Sequence, residues 1–248
     1  MQNQYQTADR LNQRISIHEK YSVNKQGFGN WIFGLYRFHP GDCLLELGCG
    51  TASMWRGKTL PEGCKLFLTD LSEGMLEAAR ENAAHLPQVH IQAADIQEIP
   101  FSEKSFDHVI AHMMLYHVPD IRRGLIEVRR VLKPGGSFYC ATYGENGIMG
   151  YLSDLLSRFG VRDPLNRRFT LQNGRKILEP FFTEVILERY PDELAVTEPG
   201  DLADYLYSLG SMTDLDPAAR PEIIETLRRE MKNGVLTVPK EYGMFICR

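Results

Sequence analysis

The sequence predicts an α/β fold built on a doubly wound, mostly parallel sheet. Short apolar segments alternate with segments of helical periodicity between residues 43 and 142, which is the pattern of consecutive βαβ units. The segment Cys43–Leu47 is mostly apolar and is followed by glycines, as expected of a strand buried on both faces. Connections of helical length between strands imply right-handed crossovers and parallel pairing. With 43% hydrophobic residues among 248, the chain can form a substantial core.

The first half of the chain can be divided into elements in order. Roughly the first 35 residues are predicted to be helical and amphipathic, and a turn rich in proline and glycine follows over 38–42. Ser72 is placed to cap a helix whose apolar stripe includes Met75 and Leu76. The predicted strands are 43–47, 65–69, 89–93, 106–111 and 137–142, and the predicted helices are 51–58, 73–84 and 120–131.

The second half of the chain is less regular. Its predicted helices are 147–159, 171–179, 202–209 and 218–231, and its predicted strands are 182–189, 235–238 and 244–247. We expect a single domain over 1–248, with an N-terminal helical lid over 1–37 and helical insertions over 147–180 and 199–232. These additions stand where they can cover a pocket.

Composition and charge argue against several classes of protein. The net charge of -4 and the isoelectric point near 6.0 argue against a nucleic-acid partner, because proteins that bind phosphate backbones usually carry a basic excess. Five scattered cysteines without a C-x-x-C pair predict no metal site and no redox pair, and they fit a reducing, cytoplasmic compartment. No apolar stretch has the length of a membrane span or of a secretion signal, so no membrane association is expected.

The strongest functional signal is the turn that follows the first strand. In Glu46-Leu47-Gly48-Cys49-Gly50 the glycines lack Cβ atoms, so a ligand can approach the backbone. Ligands of open parallel sheets bind beyond the carboxyl ends of the strands, where this turn lies. Asp70 ends the second strand about 20 residues later, the place of a ribose-binding acid in nucleotide sites. Alternatively, Asp70 serves only as an acidic residue at a helix N-terminus.

Six segments follow one another in an informative order: 46–51, 70–76, 94–96, 106–110, 115–120 and 132–136. Together they resemble the motif series of class I S-adenosylmethionine-dependent methyltransferases, the large group that acts mostly on small molecules. The resemblance covers roughly residues 40–142. It implies a Rossmann-like sheet of seven strands, S-adenosyl-L-methionine as the cofactor and methyl transfer as the activity.

The same resemblance assigns roles to individual residues. Glu46 would reach the ammonium group of the cofactor, and Asp70 would bind its ribose hydroxyls. Leu71 would pack on the adenine, and Asp95 would accept from the adenine amino group beside the backbone of Ile96. Alternatively, Asp95 is only a turn residue, and Leu71 and Ile96 only pack in the core. The complete predicted set of cofactor contacts is Tyr21, Trp31, Glu46, Gly48, Gly50, Asp70, Leu71, Met75, Asp95, Ile96 and His112.

Candidate catalytic residues are fewer. Methyl transfer needs alignment above all, and a general base helps when the nucleophile carries a proton. Imidazole titrates near neutrality, so His112 and His117 are the candidates. His112 follows the fourth strand and should lie beside the cofactor; alternatively, its role is structural. For His117 the alternative is a hydrogen bond to the backbone. Tyr21, in the front segment, either covers the site or packs as a helix aromatic.

Two departures from other signatures narrow the function. Ser53 stands where a dinucleotide fingerprint has its third glycine, which disfavours NAD because a pyrophosphate needs that turn. The segment 111–114 lacks the Asn/Asp-Pro-Pro-Tyr/Phe signature of enzymes that methylate exocyclic amines of DNA bases. The predicted function is therefore methyl transfer from S-adenosyl-L-methionine to a small-molecule acceptor. The alternatives are an RNA or protein methyltransferase and a non-catalytic adenosyl-ligand binding module.

Overall fold

The computed structural model describes residues 16–163, 165–209 and 215–248. They form two compact units. The core unit comprises 28–144, 166–190 and 242–248. The second unit comprises the described residues within 16–27, 145–165 and 191–241. Each unit is thus assembled from three separate segments of the chain.

Strands and helices succeed one another through most of the described chain. The strands are β1 (Cys43–Leu47), β2 (Lys65–Asp70), β3 (Val89–Ala93), β4 (Phe106–Ile110), β5 (Leu132–Tyr143), β6 (Val185–Tyr190), β7 (Glu193–Val196), β8 (Leu236–Pro239) and β9 (Tyr242–Cys247). The helices are α1 (Phe28–Leu35), α2 (Glu73–Ala83), α3 (Ile121–Val131), α4 (Ile148–Leu155), α5 (Gly174–Leu178), α6 (Pro199–Ser208) and α7 (Arg220–Arg229). Residues 16–21 are also helical.

A seven-stranded sheet in the order β3-β2-β1-β4-β5-β9-β6 forms the centre of the core unit. From β3 to β5 all neighbours pair in parallel, whereas β9 runs antiparallel to both β5 and β6. This confirms the predicted fold class, a doubly wound and mostly parallel sheet. The strand order reverses beside β1, so the carboxyl ends of β1 and β4 flank the crevice where such sheets bind ligands.

Two apolar clusters cover the core sheet, one on each face. Leu45 and Leu47 belong to the first cluster, and Leu44 belongs to the second. Because successive side chains of a strand alternate between faces, Glu46 lies on the face of Leu44. That second cluster also contains Tyr36 and Trp55. A carboxylate is therefore placed among buried aromatic side chains.

Local sequence signals account for the two longest helices of the core unit. Ser72 occupies the N-cap of α2 as predicted, although its side chain makes no capping bond. Asp120 caps α3, because its Oδ1 accepts from the backbone N–H of Arg123 at 3.0 Å.

The prediction of a helix over 51–58 was wrong. The structure has only a short 3-10 turn, Ser53–Trp55, in that segment. Gly50 and Ala52 both have positive φ, 56° and 53°, and two left-handed residues so close together cannot begin an α-helix. The glycine turn therefore leads into a tight irregular loop rather than directly into a helix.

The second unit contains a small sheet and helices. Strands β7 and β8 pair antiparallel, with Glu193 opposite Pro239 and Val196 opposite Leu236. Strand β7 was not predicted from the sequence, and the predicted strands 235–238 and 244–247 were not assigned to different sheets. The structure places β8 in this sheet and β9 in the core sheet. An apolar cluster that includes residues of α4, α6 and α7 packs within the same unit.

The predicted lid segment over 1–37 is divided between the two units. Residues 16–27 belong to the second unit and α1 belongs to the core unit, while residues 1–15 lie outside the described residues. Of the predicted insertions, 147–180 is divided as well, because α5 belongs to the core unit. Residue 164 and residues 210–214, within the two insertions, are also outside the described residues. No helix among the described residues is long and apolar enough to cross a membrane.

Candidate functional site

The glycine turn after β1 combines a tight contact with an open space. Gly48 has φ 67°, and a Cβ on it would lie 3.0 Å from Cβ of Met114. Gly50 has φ 56°, but a Cβ on it would meet nothing within 4 Å. Gly48 is therefore required by packing and backbone conformation. Gly50 is required by conformation only, and it borders a space that a ligand can enter.

Asp70 holds the glycine turn in place. Its Oδ2 accepts from the backbone N–H of Gly50 at 2.9 Å, and its Oδ1 accepts from the N–H of Ser72 at 2.9 Å. A second link joins the same strands, because Thr69 donates from Oγ1 to the carbonyl of Glu46 at 2.8 Å. Asp70 thus lies beside the turn, where the sequence predicted it. It does accept the N–H of Ser72 just before α2, as the alternative role would require, but it also binds the turn.

Glu46 is a buried acid with a neutral partner. It is 4% exposed, and its Oε2 accepts from Nε1 of the fully buried Trp55 at 2.5 Å. No basic side chain pairs with this carboxylate anywhere in the described part of the chain. Burial raises the pKa of Glu46 to about 7, the bond from Trp55 offsets part of that rise, and the negative charge of Asp70 adds to it. Ionised Glu46 is consequently a strong site for a cation.

His112 and Tyr36 form a polar pair beside the acid. His112 Nδ1 accepts from the backbone N–H of Ala141 at 3.0 Å, so the ring carries its proton on Nε2. That nitrogen lies 2.6 Å from the hydroxyl of Tyr36. Burial lowers the pKa of His112 to about 3. Both ring nitrogens are engaged, and the neutral ring has no free lone pair for a proton from a substrate.

The residues predicted to lie near the adenine differ in solvent exposure. Leu71 is 73% exposed, so its core-packing alternative does not hold. Ile96 is 4% exposed, and its side chain lies against Gly124 in the core, in accordance with its alternative. Met75 is half-buried in the first turn of α2. Asp95 accepts from the backbone N–H of Gln97 at 2.8 Å, which is its alternative role in a turn.

The remaining predicted residues have other contacts. Trp31 packs in an aromatic group of the core unit, with its ring centroid 5.7 Å from Phe28 and 5.3 Å from Tyr190. Tyr21 belongs to the second unit, where its hydroxyl donates to Oδ2 of Asp201 at 2.5 Å. His117 is exposed, and its ring lies 4.4 Å from that of Tyr116.

Two residues of this site, Trp55 and Tyr36, were not predicted from the sequence. Trp55 was inside a segment assigned to a helix, and Tyr36 was inside the presumed lid. A lone buried acid within an apolar strand was the available signal, since an uncompensated carboxylate needs a donor nearby. Nothing in the sequence indicated which donor it is.

Known proteins share both the sequence and the fold of this site. Residues 45–140 match the family model described as a methyltransferase domain. Residues 45–140 of the chain therefore form a methyltransferase domain. The match confirms the predicted family, and it includes Glu46, Asp70, Asp95 and His112.

Curated relatives that are named methyltransferases match part of the chain. Demethylmenaquinone methyltransferase of Symbiobacterium thermophilum is 38% identical over 109 residues, which are 42% of this chain and 43% of the relative. Malonyl-[acyl-carrier protein] O-methyltransferase of Serratia marcescens is 26% identical over 202 residues, covering 78% and 76% of the two chains. The chain spans less than half the length of the first of these relatives.

Solved structures share the fold. Phosphoethanolamine N-methyltransferase 2 of Haemonchus contortus, in complex with S-adenosylhomocysteine, has a TM-score of 0.51 at 17% identity and covers 95% of this chain and 52% of its own. The [4+2]-cyclase SpnF has a TM-score of 0.52 at 16% identity, with coverage of 89% and 79%. At such identities the likeness concerns the fold alone.

Proposed function

We propose that the protein binds S-adenosyl-L-methionine at the carboxyl edge of the core sheet and transfers its methyl group to a small molecule. The observation that carries the proposal is the buried Glu46 carboxylate, which lacks a cationic partner among the described residues and belongs to the strand that leads into the glycine turn, where the space around Gly50 is open. A ligand with an ammonium group would neutralise that charge. The family match over 45–140 supports the same conclusion.

The donors and acceptors of the site fit the other parts of this cofactor. A carboxylate offers about four lone-pair positions, and the two backbone N–H groups bound to Asp70 leave room for a ribose diol. Leu71 presents an exposed apolar side chain for an adenine ring. Asp95 would accept from the adenine amino group with the positions that Gln97 leaves, beside the backbone of Ile96. Met75 would add an apolar contact.

The protein's contribution to catalysis is chiefly alignment. The bound cofactor would supply an activated methyl group, and holding the acceptor in line removes several kcal/mol of barrier. We propose that His112 positions Tyr36 rather than accepting a proton, because its lone pair already binds Ala141. His117, which is exposed, stays a candidate base. Roles for Trp31 and Tyr21 in covering the cofactor also stay predictions.

The acceptor is proposed at the level of class. Relatives are named for a demethylated quinone and for a malonyl thioester on a carrier protein, so quinols and acyl thioesters are the first compounds to test. The acidic balance of the chain supports a small molecule over a nucleic acid. A cytoplasmic location belongs to the same proposal.

Calorimetric titration with S-adenosyl-L-methionine and with S-adenosylhomocysteine tests the cofactor site. We expect both to bind one per chain, and Asp70→Ala to weaken both by about 10- to 100-fold, since a bond to a charged group contributes about 1.5–3 kcal/mol. Asp120→Ala is the matched control, because it also removes an aspartate that accepts a backbone N–H. Absence of binding by the unaltered protein would overturn the proposal.

Transfer of a labelled methyl group to the acceptor panel tests the activity itself. Transfer at limiting cofactor that Asp70→Ala reduces by about 10- to 100-fold and Asp120→Ala preserves is the expected result. Binding without transfer to any acceptor would instead favour the non-catalytic adenosyl-ligand module. A structure with this fold is titled a cyclase rather than a methyltransferase, so the fold by itself does not establish transfer.

A further inference from the structure

Three potential metal ligands converge near the amino end of β1, away from the glycine turn. The nearest atoms are Nδ1 of His39, Oδ2 of Asp42 and Nε2 of His108, and one ligand atom from each of the three residues lies within 4.8 Å of the others. Asp42 Oδ2 is 3.0 Å from His108 Nε2 and 3.6 Å from His39 Nδ1. Two imidazoles therefore approach a single carboxylate oxygen from different elements of the core unit.

The spacing of these atoms fits a tetrahedral ion. Zinc binds histidine nitrogen and carboxylate oxygen at about 2.0–2.1 Å, which separates neighbouring ligands of a tetrahedron by about 3.3–3.4 Å. The observed 3.0 and 3.6 Å lie on either side of that separation. The two imidazoles lie within 4.8 Å of each other, so a rotation of the exposed His39 side chain would complete the tetrahedron. Two histidines with one carboxylate are also a donor set that zinc accepts, with a water molecule in the fourth position.

A backbone hydrogen bond holds Asp42 in position, and burial on a strand holds His108. The backbone N–H of His39 donates to Asp42 Oδ2 at 2.6 Å, which closes the turn before β1. His108 is 7% exposed on β4, and its Nδ1 is buried without a hydrogen-bond partner among the described residues. The polar contact of this imidazole is therefore directed through Nε2 towards Asp42. His39, with a side chain 77% exposed, can turn onto an ion from solvent.

We propose that His39, Asp42 and His108 bind a zinc ion that clamps the turn before β1 to β4. The site is separate from the methyl-transfer site, and it does not depend on the proposed function. Asp42 and His108 are 66 positions apart in sequence. An ion across them would therefore join two distant segments, and its binding free energy would stabilise the native state.

Metal titration of the full chain, free of any tag and treated with chelator, tests this proposal. We expect one zinc per chain by calorimetry, and Co²⁺ in its place should give the visible bands of a tetrahedral nitrogen and oxygen site. His39→Ala should weaken zinc by about tenfold or more, since losing a ligand costs at least as much as losing an outer-shell partner. His85→Ala is the matched control, because His85 is exposed and outside the cluster.

His39→Ala is the decisive variant because an exposed side chain can be removed without disturbing the fold. Zinc should raise the thermal midpoint of the unaltered protein and of His85→Ala, and at the same concentration it should raise that of His39→Ala distinctly less. Equal zinc binding by both variants would overturn the proposal. So would the absence of stoichiometric zinc in the unaltered protein, or an intense thiolate-to-cobalt band, which would place the ion on a cysteine.

Discussion

Glu46 in the core unit and Asp192 in the second unit both have buried carboxylates, but their surroundings are opposite. Asp192 pairs with the buried ammonium of Lys240, and its Oδ1 accepts from the backbone N–H of Asn24 at 2.9 Å. Burial by itself would raise the pKa of Asp192, but the bonds from Lys240 and Asn24 hold that pKa below its ordinary value. Glu46 has only the neutral indole of Trp55, and its pKa is raised to about 7.

This difference separates a structural carboxylate from one that we propose to bind a ligand. In the second unit the protein supplies its own cation, so the charge is neutralised whether or not anything binds. In the core unit no basic side chain among the described residues pairs with Glu46, so ionisation of Glu46 costs free energy until a positively charged group binds. The following predictions test that contrast, beginning with the largest expected effect.

Lys240→Met should be the most destabilising change. It leaves Asp192 buried without its cation, and breaking a buried pair costs about 3–5 kcal/mol in the free energy of unfolding. Urea unfolding followed by circular dichroism measures the loss. Lys20→Met is the matched control, because Lys20 forms an exposed pair with Asp201 in the same unit and should lose little. Comparable losses for the two variants would show that the buried pair has no special weight.

Glu46→Gln should have the opposite effect on stability while it damages binding. The pKa of Glu46 in the folded protein is about 7 and exceeds its ordinary value of 4.5. The protonated carboxyl group therefore contributes its full stabilisation below pH 4.5, and this contribution is lost as the pH rises through 7. At pH 8 the free energy of unfolding of ligand-free Glu46→Gln should therefore exceed that of the unaltered protein by up to about 3 kcal/mol. Affinity for S-adenosyl-L-methionine should fall by about 10- to 100-fold, because a charged hydrogen bond is lost.

Glu81→Gln is the control for that change, since Glu81 is exposed on α2. Urea unfolding at pH 8 and calorimetric titration should leave this control near the unaltered protein. If Glu46→Gln lowers stability at pH 8, the view of Glu46 as an uncompensated acid is wrong.

Cofactor affinity should depend on pH through the same group. Between pH 5.5 and 7 an α-ammonium keeps its charge, since its pKa is about 7.7–8.0, whereas Glu46 goes from protonated to half-ionised. Affinity should therefore rise about tenfold over this range. Calorimetry in buffers of different ionisation enthalpy should also show release of a proton on binding. A similar slope in Glu46→Gln would assign the dependence to another group.

The smallest effect is expected from Tyr36→Phe. It removes the hydroxyl beside His112 Nε2, and one hydrogen bond contributes about 1 kcal/mol to stability. Thermal unfolding and methyl-transfer kinetics of Tyr36→Phe and His112→Gln should show similar modest losses if the two residues form one positioning unit. Tyr207→Phe is the control, with a hydroxyl that donates to a backbone carbonyl in the second unit. Abolished transfer by His112→Gln with unchanged stability would restore His112 as the base.

The sequence determined the features that depend on neighbouring residues. Apolar periodicity within short segments predicted β1 to β5 and the helices α2 and α3 between them, and the glycine turn followed directly from residue type. Asp70 could be predicted because strand order in a doubly wound sheet brings the ends of β1 and β2 together. Each of these inferences needed only local patterns and one general rule of topology.

The tertiary structure alone decided how distant segments combine. The short loop at 51–58 depends on positive φ at Gly50 and Ala52. Nothing in the amino-acid sequence requires a positive φ at Ala52. Three further features join residues that are not related by any regular spacing in the sequence. They are the division of β8 and β9 between two sheets, the bond from Trp55 to Glu46, and the convergence of His39 and His108 on Asp42. Such contacts arise from packing, which selects partners by shape and burial across the whole chain, so no local pattern records them.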